Sequence, residues 1–431
     1  MPPKSIESES CNWFEDGFPH VWLPYTQMQT TPPPTPVVAT NGTRIRLADG
    51  RELIDGIASW WTACHGYNHP HIRAAVAKQL DVMPHVMFGG LVHEPALLLA
   101  NRITDVLPNP LSRVFFSESG SVSVEIALKM AIQFWINKGR PERNRIISFL
   151  GGYHGDTFGA MSVCDPEEGM HSLFKSTLVE QHVLPLPRNA SDFEQFEKFL
   201  QSNADHCAAV IIEPLVQGAG GMQMHDAVVL QRLRAACNEW GLLLILDEIF
   251  TGFGRTGAMF AHDEARIVPD IITLSKALTG GTMSLAATVA SEDVFEAFLS
   301  EDSGAALMHG PTYMANALAC AAANASFDLF EQEPRLEQVE AIESQLKESL
   351  APAHKIPRVT DIRVKGAIGV VQLSGSMRLD WMRTRFIEAG VWIRPFRDIV
   401  YLTPALNIRK EDLSYLVDSV LEVVAEWSTL A

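Results

Sequence analysis

Two apolar runs, each ending on a charged residue, constrain this chain more than any other feature. Residues 241–247 (GLLLILD) end on Asp247, with Glu248 next. Residues 269–276 (PDIITLSK) end on Lys276, and the small residues Ala277, Gly280 and Gly281 follow. Short apolar runs bounded by turn signals read as buried strands of a parallel sheet. In open α/β sheets, groups at the carboxyl ends of strands face the ligand crevice. An acid and an amine are therefore expected to look into one pocket. Lysines are seldom fully buried without a partner, so Lys276 points to chemistry. The plain alternative is a lysine that ends a strand and turns to water.

The rest of the pattern fits an α/β chain. Residues 30–36 (TTPPPTP) exclude regular helix or central strand. Short strands follow, with hairpin signals at Asn41-Gly42 and Asp49-Gly50. From about Pro70 to Phe330, helical segments alternate with the apolar runs RVFFSE, RIISFL, AAVIIEP, LLLILDE and DIITLSK. The last hundred or so residues read as a smaller α+β unit, which starts on a charged helix and ends on the helix DLSYLVDSVLEVVAEW. The expected division is an N-terminal segment 1–57 packing with the small domain, a large domain 58–331 and a small domain 332–431.

Three further segments bear on the pocket. Ser119-Gly120-Ser121 follows a strand and opens a helix whose apolar face is Val124, Leu128, Ala131 and Trp135. Free N–H groups at such a start attract a phosphate; an ordinary helix cap is the alternative. In Gly151-Gly152-Tyr153-His154-Gly155-Asp156, the glycines leave Tyr153 room to lie flat on an aromatic ring, or it is simply a buried tyrosine in a turn. Asp156 reads as a pocket group or a local turn acid. Lysine, aspartate, tyrosine and phosphate loop together suit pyridoxal 5'-phosphate (PLP). The amine forms a Schiff base with the aldehyde, and the carboxylate keeps the ring nitrogen protonated.

With these segments in this order, the chain resembles the class III, fold-type I PLP-dependent aminotransferases, from about Trp22 to Tyr401. ILDEIFTGFGRTG followed by PDIITLSKALTGG is the most specific part. The resemblance implies a large domain with a mainly parallel sheet flanked by helices, plus a smaller α+β domain. It implies catalytic roles for Lys276, Asp247 and Tyr153, and cofactor contacts from Gly120, Ser121, Pro311 and Thr312. A narrower set (VWLPYTQM, DGIASWWTACHGYNHP, MPHVMFGGLVHEPA, GGYHGDTFGAMSVCDP, MHGPTYMANALACAAANAS and VWIRPF) is similar to one branch of that family. That branch serves biotin biosynthesis, with S-adenosyl-L-methionine as amino donor and 8-amino-7-oxononanoate as acceptor.

The same likeness implies that Tyr25, Trp60 and Trp61 line the substrate pocket. Three flat rings suit an adenine and a long methylene chain. It implies that Arg394 clamps the donor carboxylate by two parallel hydrogen bonds. Arg255 is the expected partner of the acceptor's far carboxylate; the alternative for either arginine is a structural salt bridge. Tyr401 is expected to close the pocket, and Glu213-Pro214 to serve a gate at Arg394. Gly310-Pro311-Thr312 resembles the loop through which a neighbouring subunit reaches the cofactor phosphate, which implies a homodimer with shared sites. Two departures stand out. Leu23 occupies a position where this branch often has histidine, and LTPAL (402–406) replaces a proline-rich aromatic segment. The nearest rivals are a sibling transaminase of ω-amino acids or diamines, and the same reaction with lysine as donor.

Other classes fare worse. The net charge of −17, from 34 basic and 51 acidic residues, argues against a nucleic-acid binder. No apolar stretch approaches the ~18 residues of a membrane span, and the first residues contain no apolar signal region. The six cysteines show no CxxC or regular spacing, so reduced thiols and a cytoplasmic setting are expected. Gly252-Phe253-Gly254-Arg255-Thr256-Gly257 spells a dinucleotide motif. However, no strand ending in a ribose-binding acid follows at about 20 residues. His65, His69 and His71 tempt a metal reading, but no cysteine or carboxylate completes a ligand set nearby.

Overall fold

The computed structural model describes residues 12–166 and 172–430. Cys11 and the start of the chain lie outside the described residues. The first strands are β1 (Val37–Asn41), β2 (Arg44–Leu47) and β3 (Glu52–Asp55), paired antiparallel. Their connections hold Asn41-Gly42 and Asp49-Gly50, as the two dipeptides predict.

The apolar runs become β4 (Leu111–Ser117), β5 (Arg145–Phe149), β6 (His182–Leu184) and β7 (Cys207–Ile212). After a short hairpin of β8 (Val216–Gln217) and β9 (Gln223–Met224) come β10 (Leu243–Asp247), β11 (Ile271–Leu274) and β12 (Ala286–Ser291). Apart from the hairpin, these form one seven-stranded sheet in the order β4-β12-β11-β10-β7-β5-β6. Every residue of β7, β10 and β11 is buried, because helices cover both faces of the sheet. The helix Gly120–Asn137 lays Val124, Leu128 and Ala131 against Ala209, Ile245 and Ile271. Only β12 runs against its neighbours in this sheet. The loops leaving the carboxyl ends of β4, β5, β7, β10 and β11 therefore open on one edge, where a ligand crevice is expected.

The C-terminal part contributes the helix Arg335–Leu350, β13 (Val359–Lys365), β14 (Ile368–Leu373), β15 (Val391–Trp392), β16 (Ile399–Leu402) and the helix Lys410–Ser428. β13, β14 and β16 form an antiparallel sheet. β15 instead pairs parallel with β3, with Trp392 opposite Asp55. That pairing joins the N-terminal strands to the C-terminal part. No described helix is long and apolar enough to cross a membrane.

Candidate active site

The loops at the open edge enclose an inner cavity of about 150 Å³. Gly120, Ser121, Tyr153, Asp247 and Lys276 all line it, so five expected cofactor residues are brought together. Lys276 stands just beyond β11, with part of its surface toward the cavity. Its Nζ lies 4.4 Å from the centre of the Trp61 ring and 6.0 Å from that of Phe250. Burial among these rings pulls the amine down to about 8, against the opposing charges of Asp247 and Glu213. The neutral, nucleophilic form is thus reached at a much lower pH than for an exposed lysine.

Asp247 ends β10 and is held from three sides. His154 Nδ1 lies 2.7 Å from its Oδ2, while Oδ1 accepts from the Ile249 N–H at 3.1 Å and the Thr273 hydroxyl at 3.2 Å. Burial disfavours a charged His154 ring, but the hydrogen bond and charge of Asp247 outweigh it and raise its pKa. Glu213, just after β7, accepts from the N–H groups of Tyr153 at 3.0 Å and Gly218 at 2.9 Å. Burial pushes its carboxyl up to about 7.

At the helix start, the Ser119 side chain accepts from the Val122 N–H at 3.3 Å. Gly120 and Ser121 stand before the first intrahelical N–H bonds and line the cavity, which makes an anion cradle. Gly155 presses on this turn so closely that a Cβ there would lie 2.2 Å from Ser121 Oγ. Cradle, ring-bearing tyrosine, carboxylate and amine fit the phosphate, ring, ring nitrogen and aldehyde of PLP.

An outer cavity of about 390 Å³ shares Trp61, Tyr153 and Lys276 with the inner one. Tyr25, Trp60, Arg394 and Tyr401 line it as well. Asp156, expected as a pocket group, lines neither cavity itself but holds the phenols of Tyr25 and Tyr153, which do. Tyr25 donates to Oδ2 at 2.5 Å and Tyr153 to Oδ1 at 2.9 Å. Burial, and then Asp156, push the Tyr25 hydroxyl up to about 12. The Arg394 guanidinium lies 4.9 Å from the centre of the Trp60 ring. Tyr401 is buried, edge-on to Trp61 at 6.4 Å. Trp60 and Trp61 belong to a run of four residues with left-handed backbone, a conformation that costs roughly 1–2 kcal/mol per residue.

Several expectations take a different form. Arg255 is 2% exposed and donates to the carbonyls of Ala367 at 3.2 Å and Pro404 at 2.8 Å. It lines neither cavity, and its Nη1 is engaged by these two carbonyls. Glu213 lines the inner cavity, bound to backbone, and not the outer one where Arg394 stands. Gly310, Pro311 and Thr312 sit in a surface loop and line neither cavity of their own chain. The GFGRTG segment forms turns and opens no helix at its glycines. His65 lies 3.0 Å from Ser326 Oγ and accepts from Arg335, while His71 meets Asp328 at 2.7 Å. These are packing and surface contacts, and the five described cysteines are buried free thiols.

Sequence reasoning gave no role to His154 or Phe250, yet both line the inner cavity. A histidine directly after Tyr153, in the same glycine-flanked turn, was the available signal for the first. Phe250 carried none, since its place depends on the turn after β10.

The aminotransferase class-III family model matches residues 25–424. An adenosylmethionine-8-amino-7-oxononanoate aminotransferase of Corynebacterium glutamicum is 46% identical over 373 residues, covering 85% of this chain and 88% of that one. The enzyme of the same name from Mycobacterium leprae is 44% identical over 413 residues, covering 94% of each. Among solved structures, that from Methanocaldococcus jannaschii, again of this name, superposes with a TM-score of 0.90 at 31% identity, covering 96% of this chain and 98% of that one. An amine transaminase from an uncultivated Pseudomonas species, in its PLP-bound form, gives 0.88 at 31% identity, covering 94% and 98%.

Proposed function

This chain belongs to the class-III aminotransferase family, and from that premise we propose that it moves an amino group from S-adenosyl-L-methionine to 8-amino-7-oxononanoate. The product is 7,8-diaminononanoate, in biotin biosynthesis. The observation that carries the reading is a pair of adjoining cavities that share Trp61, Tyr153 and Lys276, with Asp247 on the inner one and Arg394 on the outer one. An acid that places its carboxylate on Arg394 extends its other end toward Lys276.

The cofactor is PLP, held by Gly120, Ser121, Tyr153, Asp247 and Lys276. When bound, it supplies an aldehyde that captures amines and a ring that takes up electron density from the reacting carbon. The chain's own groups do the rest. Lys276, as a neutral amine, takes the proton from the donor Cα and later returns one to the acceptor carbon C7. Asp247, steadied by His154, presents negative charge where a ring nitrogen must stay protonated. Asp156 orients the Tyr25 and Tyr153 hydroxyls across the mouth, and Trp60 and Trp61 give flat apolar walls to an adenine or a methylene chain. Arg394 fixes the carboxylate by its two-pronged donor face.

We read the active unit as a homodimer. Gly310, Pro311 and Thr312 lie in an exposed loop whose neighbours Met308 and Tyr313 are 80% and 60% exposed. Such apolar exposure suits a partner's surface, and this loop would then complete the partner's phosphate site. The deciding experiment supplies 8-amino-7-oxononanoate with adenosylmethionine, lysine, alanine or 4-aminobutyrate and identifies the product by mass. Diaminononanoate from adenosylmethionine supports the reading. Diaminononanoate from lysine alone moves the donor assignment, and no diamine from any donor ends it.

A further inference from the structure

Ala58, Ser59, Trp60 and Trp61 hold φ values of 45, 49, 54 and 73°. Ser59 and Trp60 have ψ of 59 and 50°, so these residues form one turn of left-handed helix. Residues other than glycine stay in that conformation only where their surroundings impose it. Here the imposing group is Asp55, the last residue of β3. Its Oδ1 accepts the Ile57 N–H at 2.8 Å, and its Oδ2 accepts the Ser59 N–H at 2.9 Å and the Tyr67 hydroxyl at 2.5 Å. The Ser59 hydroxyl lies 2.8 Å from the same phenol oxygen. Asp55 is 2% exposed, so these bonds face little competition from water.

The turn spans the two ends of the outer cavity. One tryptophan, Trp61, packs on the Lys276 amine at 4.4 Å, and its neighbour Trp60 packs on the Arg394 guanidinium at 4.9 Å. We infer that Asp55, with Tyr67, is a positioning residue that locks the tandem tryptophans in the left-handed turn and so fixes the distance between the amine end and the carboxylate end of the cavity. The inference rests on the proposed function in one respect, that a substrate carboxylate sits on Arg394. The length of acid that the site accepts is then set by a carboxylate that touches no substrate.

Asp55→Asn keeps the size of the side chain but removes its charge and one of its two acceptor oxygens, so the Ile57 N–H, the Ser59 N–H and the Tyr67 hydroxyl can no longer all be accepted. Losing hydrogen bonds to a charged group implies a fall of roughly 10- to 100-fold in kcat/KM, carried mainly by KM for both acids. The near-ultraviolet circular dichroism of the cofactor-free protein, which reports tryptophan packing, should change with it. Glycine adopts left-handed backbone readily. Adding Ser59→Gly to Asp55→Asn should therefore return the dichroism, and KM to within about threefold of the parent. A buried charge with a merely structural role would not be rescued by glycine. Should Asp55→Asn fail to fold, Tyr67→Phe gives the milder form of the same test, with the same rescue expected. Unchanged dichroism and KM in the single variants overturn the inference, as does failure of Ser59→Gly to restore either. The dichroism arm needs no substrate, so it judges the inference even if the parent protein makes no diamine.

Discussion

Adding one methyl group at Gly155 tests whether the cofactor cradle is built as tightly as described. In Gly155→Ala, the new Cβ would lie 2.2 Å from Ser121 Oγ, 2.5 Å from its Cβ and 2.7 Å from its Cα. Real Cβ atoms essentially never come within 3.0 Å of such neighbours. Rotating the serine hydroxyl relieves only the first contact, so the two backbones must part. Gly155 has a φ of +130°, where a side chain adds strain of about 1–3 kcal/mol. Overpacking adds about 1–3 kcal/mol more. If the free protein relaxes by opening the helix start, PLP must close it again. The lower bound of about 2 kcal/mol then corresponds to a ~30-fold loss of affinity. If it does not relax, the cost appears as lost stability. Gly257→Ala is the control, with a φ of +118° and nothing within 4 Å of the added atom. It should lose about 1–3 kcal/mol of stability and bind PLP within about threefold of the parent, since only the strain term applies. PLP titration by absorbance, with thermal melts of both variants with and without PLP, separates these outcomes. Parent-like affinity and melting temperature in Gly155→Ala would refute the reasoning, as would an equal loss of PLP affinity in the control.

Replacing Asp247 by asparagine removes the charge under the ring nitrogen and should slow both half-reactions by ~100-fold or more; unchanged single-turnover rates would remove its assigned role. Arg394→Lys keeps the charge but loses the two-pronged geometry, so KM for the carboxylate substrates should rise ~10- to 100-fold with kcat nearly kept. A fall confined to kcat would argue against a clamp. The Lys276 amine is held at about 8, below the ordinary lysine value of 10.5. Because the neutral form attacks the aldehyde, PLP capture by the cofactor-free protein should quicken as pH rises and level off above about 8. A rate that still climbs toward the ordinary lysine range would contradict the buried setting.

Much of the site was legible because it rests on local patterns. β10 and β11 are buried on every residue, so unbroken apolar runs marked them, and Asp247 and Lys276 at or just past their ends were placed by topology alone. Ser119–Ser121 and the Tyr153 turn follow β4 and β5 by the same logic. The surroundings of Arg255 were not legible because they are non-local. Its carbonyl partners, Ala367 and Pro404, lie in the last part of the chain. A glycine-rich turn reads as exposed until another segment is known to cover it. Asp55 was missed for the opposite reason. An acid ending an exposed hairpin looks ordinary, and no periodicity announces a left-handed turn in a run without glycine. The Gly310–Thr312 loop illustrates a third case, a resemblance whose meaning lies in a second subunit.

The parallel pairing of β15 with β3 has a lasting effect on how this scaffold can change. The Gly56 N–H donates to the Trp392 carbonyl at 3.0 Å, so the segment bearing Arg394 and the one bearing Trp61 are stitched side by side. The tryptophan wall and the arginine of the reaction chamber are therefore joined through one backbone seam. Adapting such a chamber to a longer or shorter guest then involves this seam as well as the side chains that face the guest, because a shift of either segment is passed to the other.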